Sequence, residues 1–389
     1  MTEIQKLCNE YKTEIIEFLK KIISVKSFTG NEKAVAEIVK AKMEELGYDE
    51  ILESELGDII GVIGNGPKKI IFDSHMDVVE VNDEFNWEYP PFAAHTDEEY
   101  IHGRGTVDMK SAIASSVYAG YFAKKLGYTE GKTIYVSASV MEEDFDAYAL
   151  GKLIDEFNLN LDYAIICEPS EGKIALGHRG RAMFEIHTHG ISCHGSAPEN
   201  GKNAVYEMRK IIERVEALND RLYEIEGEHG SVVLSKIECE TVSLNAVPAG
   251  CTIYLDRRLA LGESFEIIKK EMDELVEGLD ADWNVYIARG RSYTGKDVDM
   301  YTFMNAWETK KDVPLSIAMA NAYREQTGRE PEFFKWNFST NGFATTDRNI
   351  STIGFGPGEI KYAHMRDEKC RINEVVDCCM VYTGCIKNI

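Results

Sequence analysis

Ile4, Leu7, Tyr11, Ile15, Leu19 and Ile22 fall three and four residues apart, with Lys6, Glu10, Lys12, Glu14 and Glu17 between them. That spacing predicts an amphipathic helix over residues 4 to 23. It does not read as the unbroken apolar core of a secretion signal. A turn-rich stretch, 27 to 31, precedes a second helix over 32 to 46. The runs at 58 to 63 (DIIGVI), 69 to 72 (KIIF), 133 to 140 (TIYVSASV) and 164 to 167 read as strands, and 109 to 126 as a buried helix. Strands alternating with helices imply an α/β unit whose sheet is mostly parallel and covered on both faces.

The middle of the chain has a different rhythm. Strand patterns at 182 to 189, 232 to 237, 251 to 259 and 283 to 288 are interleaved with helical patterns at 204 to 218 and 265 to 279. The order β-α-β-β-α-β is that of a small, ferredoxin-like α+β domain. A helix at 314 to 327 and another from 373 restore the α/β pattern. The simplest reading is a larger unit, 1–180 and 293–389, with a smaller one, 181–292, inserted into it.

Composition narrows the function classes. The chain has 389 residues and a formal net charge of −23, which disfavours nucleic acid and anionic membrane surfaces as partners. No apolar stretch approaches the ~20 residues that span a bilayer. Nine cysteines, an odd number, fit reduced thiols in a cytoplasm better than a disulfide scaffold. Cys378, Cys379 and Cys385 read as helix packing.

The chemistry-bearing residues gather where strands end. His75-Met76-Asp77 follows an apolar strand, and residues two apart face the same way, so Asp77 is placed to orient His75 as a carboxylate partner does for a metal-bound imidazole. Asp108, in Gly103-Arg104-Gly105-Thr106-Val107-Asp108-Met109-Lys110, stands at a helix start, where a plain N-cap is the alternative. Met141-Glu142-Glu143-Asp144 closes another apolar strand; it is either a solvated loop or a carboxylate ligand beside a base. Glu168, in Cys167-Glu168-Pro169-Ser170, repeats that logic. His364 lies in Ala363-His364-Met365-Arg366-Asp367-Glu368. Two histidines with several carboxylates form the mixed nitrogen and oxygen set that zinc and related divalent ions accept.

These five motifs, in this order, resemble the M20 family of metallopeptidases and deacylases, which includes succinyl-diaminopimelate desuccinylase, acetylornithine deacetylase and carboxypeptidase G-type enzymes. The pattern is most similar to the branch called selenium-metabolism-linked hydrolases. The resemblance implies two divalent ions, zinc first, with cobalt and manganese as alternatives. Asp108 would bridge them, with His75 and Glu168 on one ion and Glu143 and His364 on the other. Glu142 would be the general base, Asp77 the partner of His75, and the Asp108–Met109 peptide cis. The segment from His189 to Ala204 resembles the family's lid and dimerisation region. In a homodimer, His194 would reach the partner's site. Asn245, Arg258, Asn341 and Gly342 match substrate-side positions, Arg258 as a carboxylate holder.

Two positions depart from the family pattern: Asp367 where many members have Asn, and Leu261 where many have Pro. Glu168 leans toward a deacylase or carboxypeptidase-like activity. The implied function is hydrolysis of an amide-type C–N bond in a small N-acyl amino acid-like substrate. A dipeptidase or carboxypeptidase, an N-carbamoyl amidohydrolase, a phosphoesterase-type two-metal enzyme and a non-catalytic binding protein are the alternatives.

Overall fold

The first helix starts on a reciprocal cap. The Thr2 hydroxyl accepts from the Gln5 amide while the Gln5 side chain accepts from the Thr2 amide, and Lys20 and Lys21 face the carbonyl end. In the computed structural model, which describes residues 1–389, this helix spans Glu3–Ile23. It packs with Lys110–Lys125, Pro314–Thr327 and Ile372–Asn388 on one face of a nine-stranded sheet. The strand order is Glu50–Glu53, Ile59–Ile63, Lys132–Ser139, Lys68–His75, Tyr163–Ile166, Ser351–Gly354, Ile174–His178 and Trp307–Glu308, with Phe333–Trp336 also on Ile174–His178. The four strands from Lys132–Ser139 to Ser351–Gly354 are mutually parallel, and antiparallel pairs flank them.

Alternation along the central strand explains the two-sided cover. Ile70 and Phe72 enter the core beneath the long helices, whereas Ile71 joins Leu150, Leu153 and Trp336 on the other face. Cys378, Cys379 and Cys385 are free thiols buried in the first of these cores.

A second, antiparallel sheet runs Ser231–Glu240, Gly250–Leu259, Gly180–His189 and Ala281–Val285, with Phe303–Met304 against the start of Gly180–His189. Its own core forms between one sheet face and the helices Ala204–Tyr223 and Phe265–Val276. The expected strand 283 to 288 divides in two. Tyr286 N–H donates to the Met183 carbonyl at 2.8 Å while Thr302 N–H donates to the Tyr286 carbonyl. The chain therefore leaves the sheet, and Ile287–Arg291 pairs instead with Asp297–Tyr301 as a separate ribbon.

In Gly250–Leu259 successive residues face opposite ways. Leu255, Arg257 and Leu259 are buried on the helical side; Asp256 and Arg258 stand on the other. Arg257 is fully buried and held by two carboxylates: Glu271 at 3.0 Å to both Nε and Nη2, and Glu263 at 2.5 Å to Nη2. Removing one member of such a cluster strands the remaining charges. Arg257→Met is expected to cost about 3–5 kcal/mol, read as a lowered denaturant midpoint for the second sheet's tryptophan, Trp283. Replacing Glu263 and Glu271 with glutamine in the same chain should recover part of the loss.

Candidate active site

Parallel neighbours end at the same level. His75, last residue of Lys68–His75, is in register with Ser139, last residue of Lys132–Ser139. The segments that follow therefore meet. Asp77 joins them: its Oδ1 accepts from the Glu142 amide and its Oδ2 from the Glu143 amide, both at 3.0 Å, and Thr29 Oγ1 donates to Oδ2 at 2.9 Å. His75 Nδ1 donates to the main-chain carbonyl of Asp77 at 2.9 Å, with the carboxylate farther off at 3.4 Å. Asp77 thus orients the ring chiefly through its backbone, and its carboxylate mainly holds the Glu142-Glu143 loop. The carboxylate–imidazole pair is present but long, because the turn after His75 carries the closer carbonyl under the ring.

Asp108 precedes the helix Lys110–Lys125 without capping it; the N-cap is Met109, with no side-chain bond. Gly103 and Gly105 turn the chain with φ of 147° and 84°, and a Cβ at Gly105 would stand 2.6 Å from Val78. The Asp108–Met109 peptide is cis. Glu368, fully buried, accepts from the amides of Val107 at 2.7 Å and Asp108 at 3.1 Å, and its other oxygen takes Arg104 Nη1 at 2.7 Å. Lys110 Nζ donates to the carbonyls of Ile22 and Val25, both at 2.9 Å.

The Asp108 carboxylate stands between two imidazoles. Its Oδ1 lies 2.9 Å from His75 Nε2 and its Oδ2 3.1 Å from His364 Nε2. His75 Nε2 is also 3.7 Å from Glu168 and 3.8 Å from Glu142, and His364 Nε2 is 3.0 Å from Glu143. Two overlapping groups, His75–Asp108–Glu143 and His75–Glu142–Glu168, bring their ligand atoms within 4.8 Å of one another.

Electrostatics here are those of a site built around positive charge. Burial, then Glu168, lifts the Glu142 carboxyl well above the usual range, and burial, then Asp108, does the same for Glu168. Burial and Asp108 push Glu143 up to about 7. Burial opposes the charge of Asp108, but hydrogen bonds from His364 and His75 outweigh it and hold this carboxyl below its ordinary value. Burial also opposes charge on His75, yet Glu142, Asp108 and Asp77 raise it. Hydrogen bonds from Asp108 and Glu143 raise His364 to about 11. Glu143 Oε1 is buried with no hydrogen-bond partner. A donor set of crowded carboxylates, two imidazoles and an orphaned oxygen fits divalent cations.

Asp108, Glu142, Glu143, Glu168 and His364 line a cavity of about 240 Å³ together with Arg181, Arg258, Asp146, Phe338 and Ser339. The remaining expected residues lie elsewhere. Asn341 is buried and committed: its amide donates to Asp73 at 2.8 Å and to Ser139 at 3.2 Å, and its oxygen accepts from the Ala147 amide at 2.8 Å. Gly342 is buried with Trp307 against it. Asn341 thereby braces the loop after Glu143, and Ser339 of the same segment faces the cavity. His194 and Asn245 are exposed neighbours on the second unit, joined through the His194–Ala246 bridge and the Gly195-to-Asn245 bond, and neither lines this cavity. Arg181, Asp146 and the anchoring role of Glu368 were not foreseen. The motif around His364 contains Glu368, but Arg181 becomes significant only through its pairing partner across the sheet.

Residues 71–388 match the model of peptidase family M20/M25/M40. The Escherichia coli K12 protein YgeY, itself uncharacterised, is 33% identical over 96% of this chain and 94% of its own. A succinyl-diaminopimelate desuccinylase from Hydrogenovibrio crunogenus is 24% identical over 97% and 99%. The fold is similar to that of the M20 family metallo-carboxypeptidase Sso-CP2 from Sulfolobus solfataricus, with a TM-score of 0.72, 18% identity and coverage of 100% and 99%. The chain belongs to peptidase family M20/M25/M40 and is a metallohydrolase.

Proposed function

We propose that the protein hydrolyses the amide bond of a small N-acyl amino acid-like substrate using two divalent ions. The observation that carries this reading is the Asp108 carboxylate, whose two oxygens address His75 and His364 separately. In this reading Asp108 would hold both ions, with His75 and Glu168 as further ligands for one and Glu143 and His364 for the other. Two divalent ions would neutralise the four carboxylates; zinc suits the donor set, as do cobalt and manganese. When bound, such ions stabilise developing negative charge and acidify water.

The chain's own residues do the rest. Glu142 takes a proton from the attacking water as its oxygen bonds to the acyl carbon. The C–N bond then breaks, and Glu142 passes that proton to the departing nitrogen, leaving a carboxylic acid and an amine, between which the second water proton moves to give carboxylate and ammonium. Arg258 lines the cavity as a substrate contact. The desuccinylase relatives support a deacylase, and the likeness to a metallo-carboxypeptidase favours a peptidase as second reading.

A homodimer supplies His194 and Asn245 to the partner's cavity. Their exposure, and apolar Val233 and Ile237 on the edge strand Ser231–Glu240, support this. Nine free thiols support a reducing, cytoplasmic compartment. No helix is long and apolar enough to cross a membrane.

A panel of N-acyl amino acids, N-carbamoyl amino acids and dipeptides, assayed with zinc, cobalt or manganese, should give metal-dependent release of amine from the first class. Glu142→Gln is expected to bind metal normally and to lose about 100- to 10,000-fold in kcat; undiminished turnover removes Glu142 from the role of base. Glu368→Ala should weaken divalent-ion affinity about 10- to 100-fold in a chelator competition, because Asp108 loses the acceptor that fixes its backbone. Unchanged affinity would leave Glu368 without a part in the site. Mixing inactive Glu142→Gln and His194→Ala subunits should regain turnover that neither has alone, since one composite site carries both residues. No recovery after subunit exchange means that His194 does not cross between chains.

A further inference from the structure

Four successive amides lead the chain out of the strand Lys132–Ser139 into the acidic turn, and each is taken by a buried carboxylate. Val140 N–H donates to Asp58 Oδ1 at 2.9 Å, Met141 N–H to Glu32 Oε1 at 3.0 Å, and the amides of Glu142 and Glu143 to Asp77. Asp58 precedes one neighbouring strand of the sheet and Asp77 follows the other. Glu32 comes from outside the sheet. It stands at the N-cap of the helix Lys33–Glu45, yet its side chain caps none of that helix's amides. It turns inward instead. Oε1 accepts from Gly30 N–H at 3.0 Å as well as from Met141, and Oε2 has no partner. A carboxyl group fully buried with one oxygen idle is costly, and the helix start gains nothing from it.

Met141 is where the turn is least able to hold itself. Its φ is 60°, in the left-handed region that a residue with a side chain keeps only when its surroundings impose it. Its carbonyl accepts from the Phe145 amide at 3.0 Å, and its own amide is held by Glu32. The backbone direction set at Met141 decides where the next residue, Glu142, points.

We infer that Glu32 is a positioning residue for the hydrolysis: by holding the Met141 amide it fixes the left-handed turn there and so aims Glu142 at the attacking water. This rests on Glu142 as the base, as proposed above, and adds the residue that places it.

Turnover and amide hydrogen exchange are measured on metal-saturated protein, with a compound of the panel above that the unsubstituted enzyme hydrolyses. Glu32→Gln keeps an acceptor at Oε1 and removes the charge; Glu32→Asp keeps the charge and withdraws the oxygen by one methylene. Glu32→Asp and Glu32→Ala should lose about 100-fold in kcat with KM unchanged, as misplacing a reacting group by an ångström does. Glu32→Gln should keep most of the turnover. The peptide covering residues 140 to 147 should exchange faster in the Asp and Ala variants and not in the Gln variant. If Glu32→Ala does not fold, as thermal unfolding would show, the Asp and Gln variants decide. Full kcat in Glu32→Asp, a raised KM in place of a lowered kcat, a Gln variant as impaired as the Asp variant, or unchanged exchange in Glu32→Asp overturns the proposal. Exchange as expected, with no metal-dependent turnover by the unsubstituted protein or with turnover that survives Glu142→Gln, overturns the reading of Glu142 as base and leaves Glu32 as the residue that holds the turn.

Discussion

The carboxylate of Asp77 is the contact on which the site's shape depends. Buried without exposure, it would be costly alone, because a charge in a protein interior needs donors around it. It has three: the amides of Glu142 and Glu143 and the hydroxyl of Thr29. Those bonds tie the end of one central strand to the end of its parallel neighbour and to the turn before the second helix. Glu142 and Glu143 consequently point where like charge accumulates, although each carboxyl is driven upward by burial. Parallel pairing makes this possible, since neighbouring strands running the same way deliver their loops to one edge of the sheet.

The second unit contributes by strand alternation. One face of Gly250–Leu259 is fixed by apolar residues and the doubly paired Arg257. The opposite face is then free to present Asp256 and Arg258, with Arg181 beside them. The buried ion cluster behind the sheet and the cationic wall in front are two sides of the same strand. A shift of register by one residue would exchange them and place Arg258 in the core.

Much of this was legible in the chain because strand ends and helix starts are local features. Periodicity located the long helices and the central strands, and the carboxylates and histidines at their ends could be picked out as a donor set. Packing narrows what sequence left open: Asp108 caps nothing, Glu142 is 7% exposed, and only Asp144 of the 141 to 144 stretch is exposed to solvent. A loop motif does not say which side of the loop faces the cavity, and at Asn341 a buried Asp73 claims the side-chain amide. Arg181 was invisible for a different reason. Its position depends on which residue lies across from it, and register is a relation between segments 77 residues apart.

The charge pattern of the cavity follows from joining these two units. A chain of net charge −23 repels anions at long range, and the acids around Asp108 would repel a substrate carboxylate at short range. The arginines come from the other sheet, so repulsion and attraction are assigned to different elements. Asp146 connects them, lying just beyond the Glu142-Glu143 loop and facing Arg181. Its 3.4 Å contact and its bond to Ser339 set how far the cationic wall stands from the acids. An anionic group entering the cavity must compete with Asp146 and Asp256 for that guanidinium. Competition of this kind rewards a ligand whose charge is fixed at the right distance from its carbonyl, because only then is the lost ion pair replaced without straining the rest. Selectivity at this site is accordingly a matter of spacing as much as of charge.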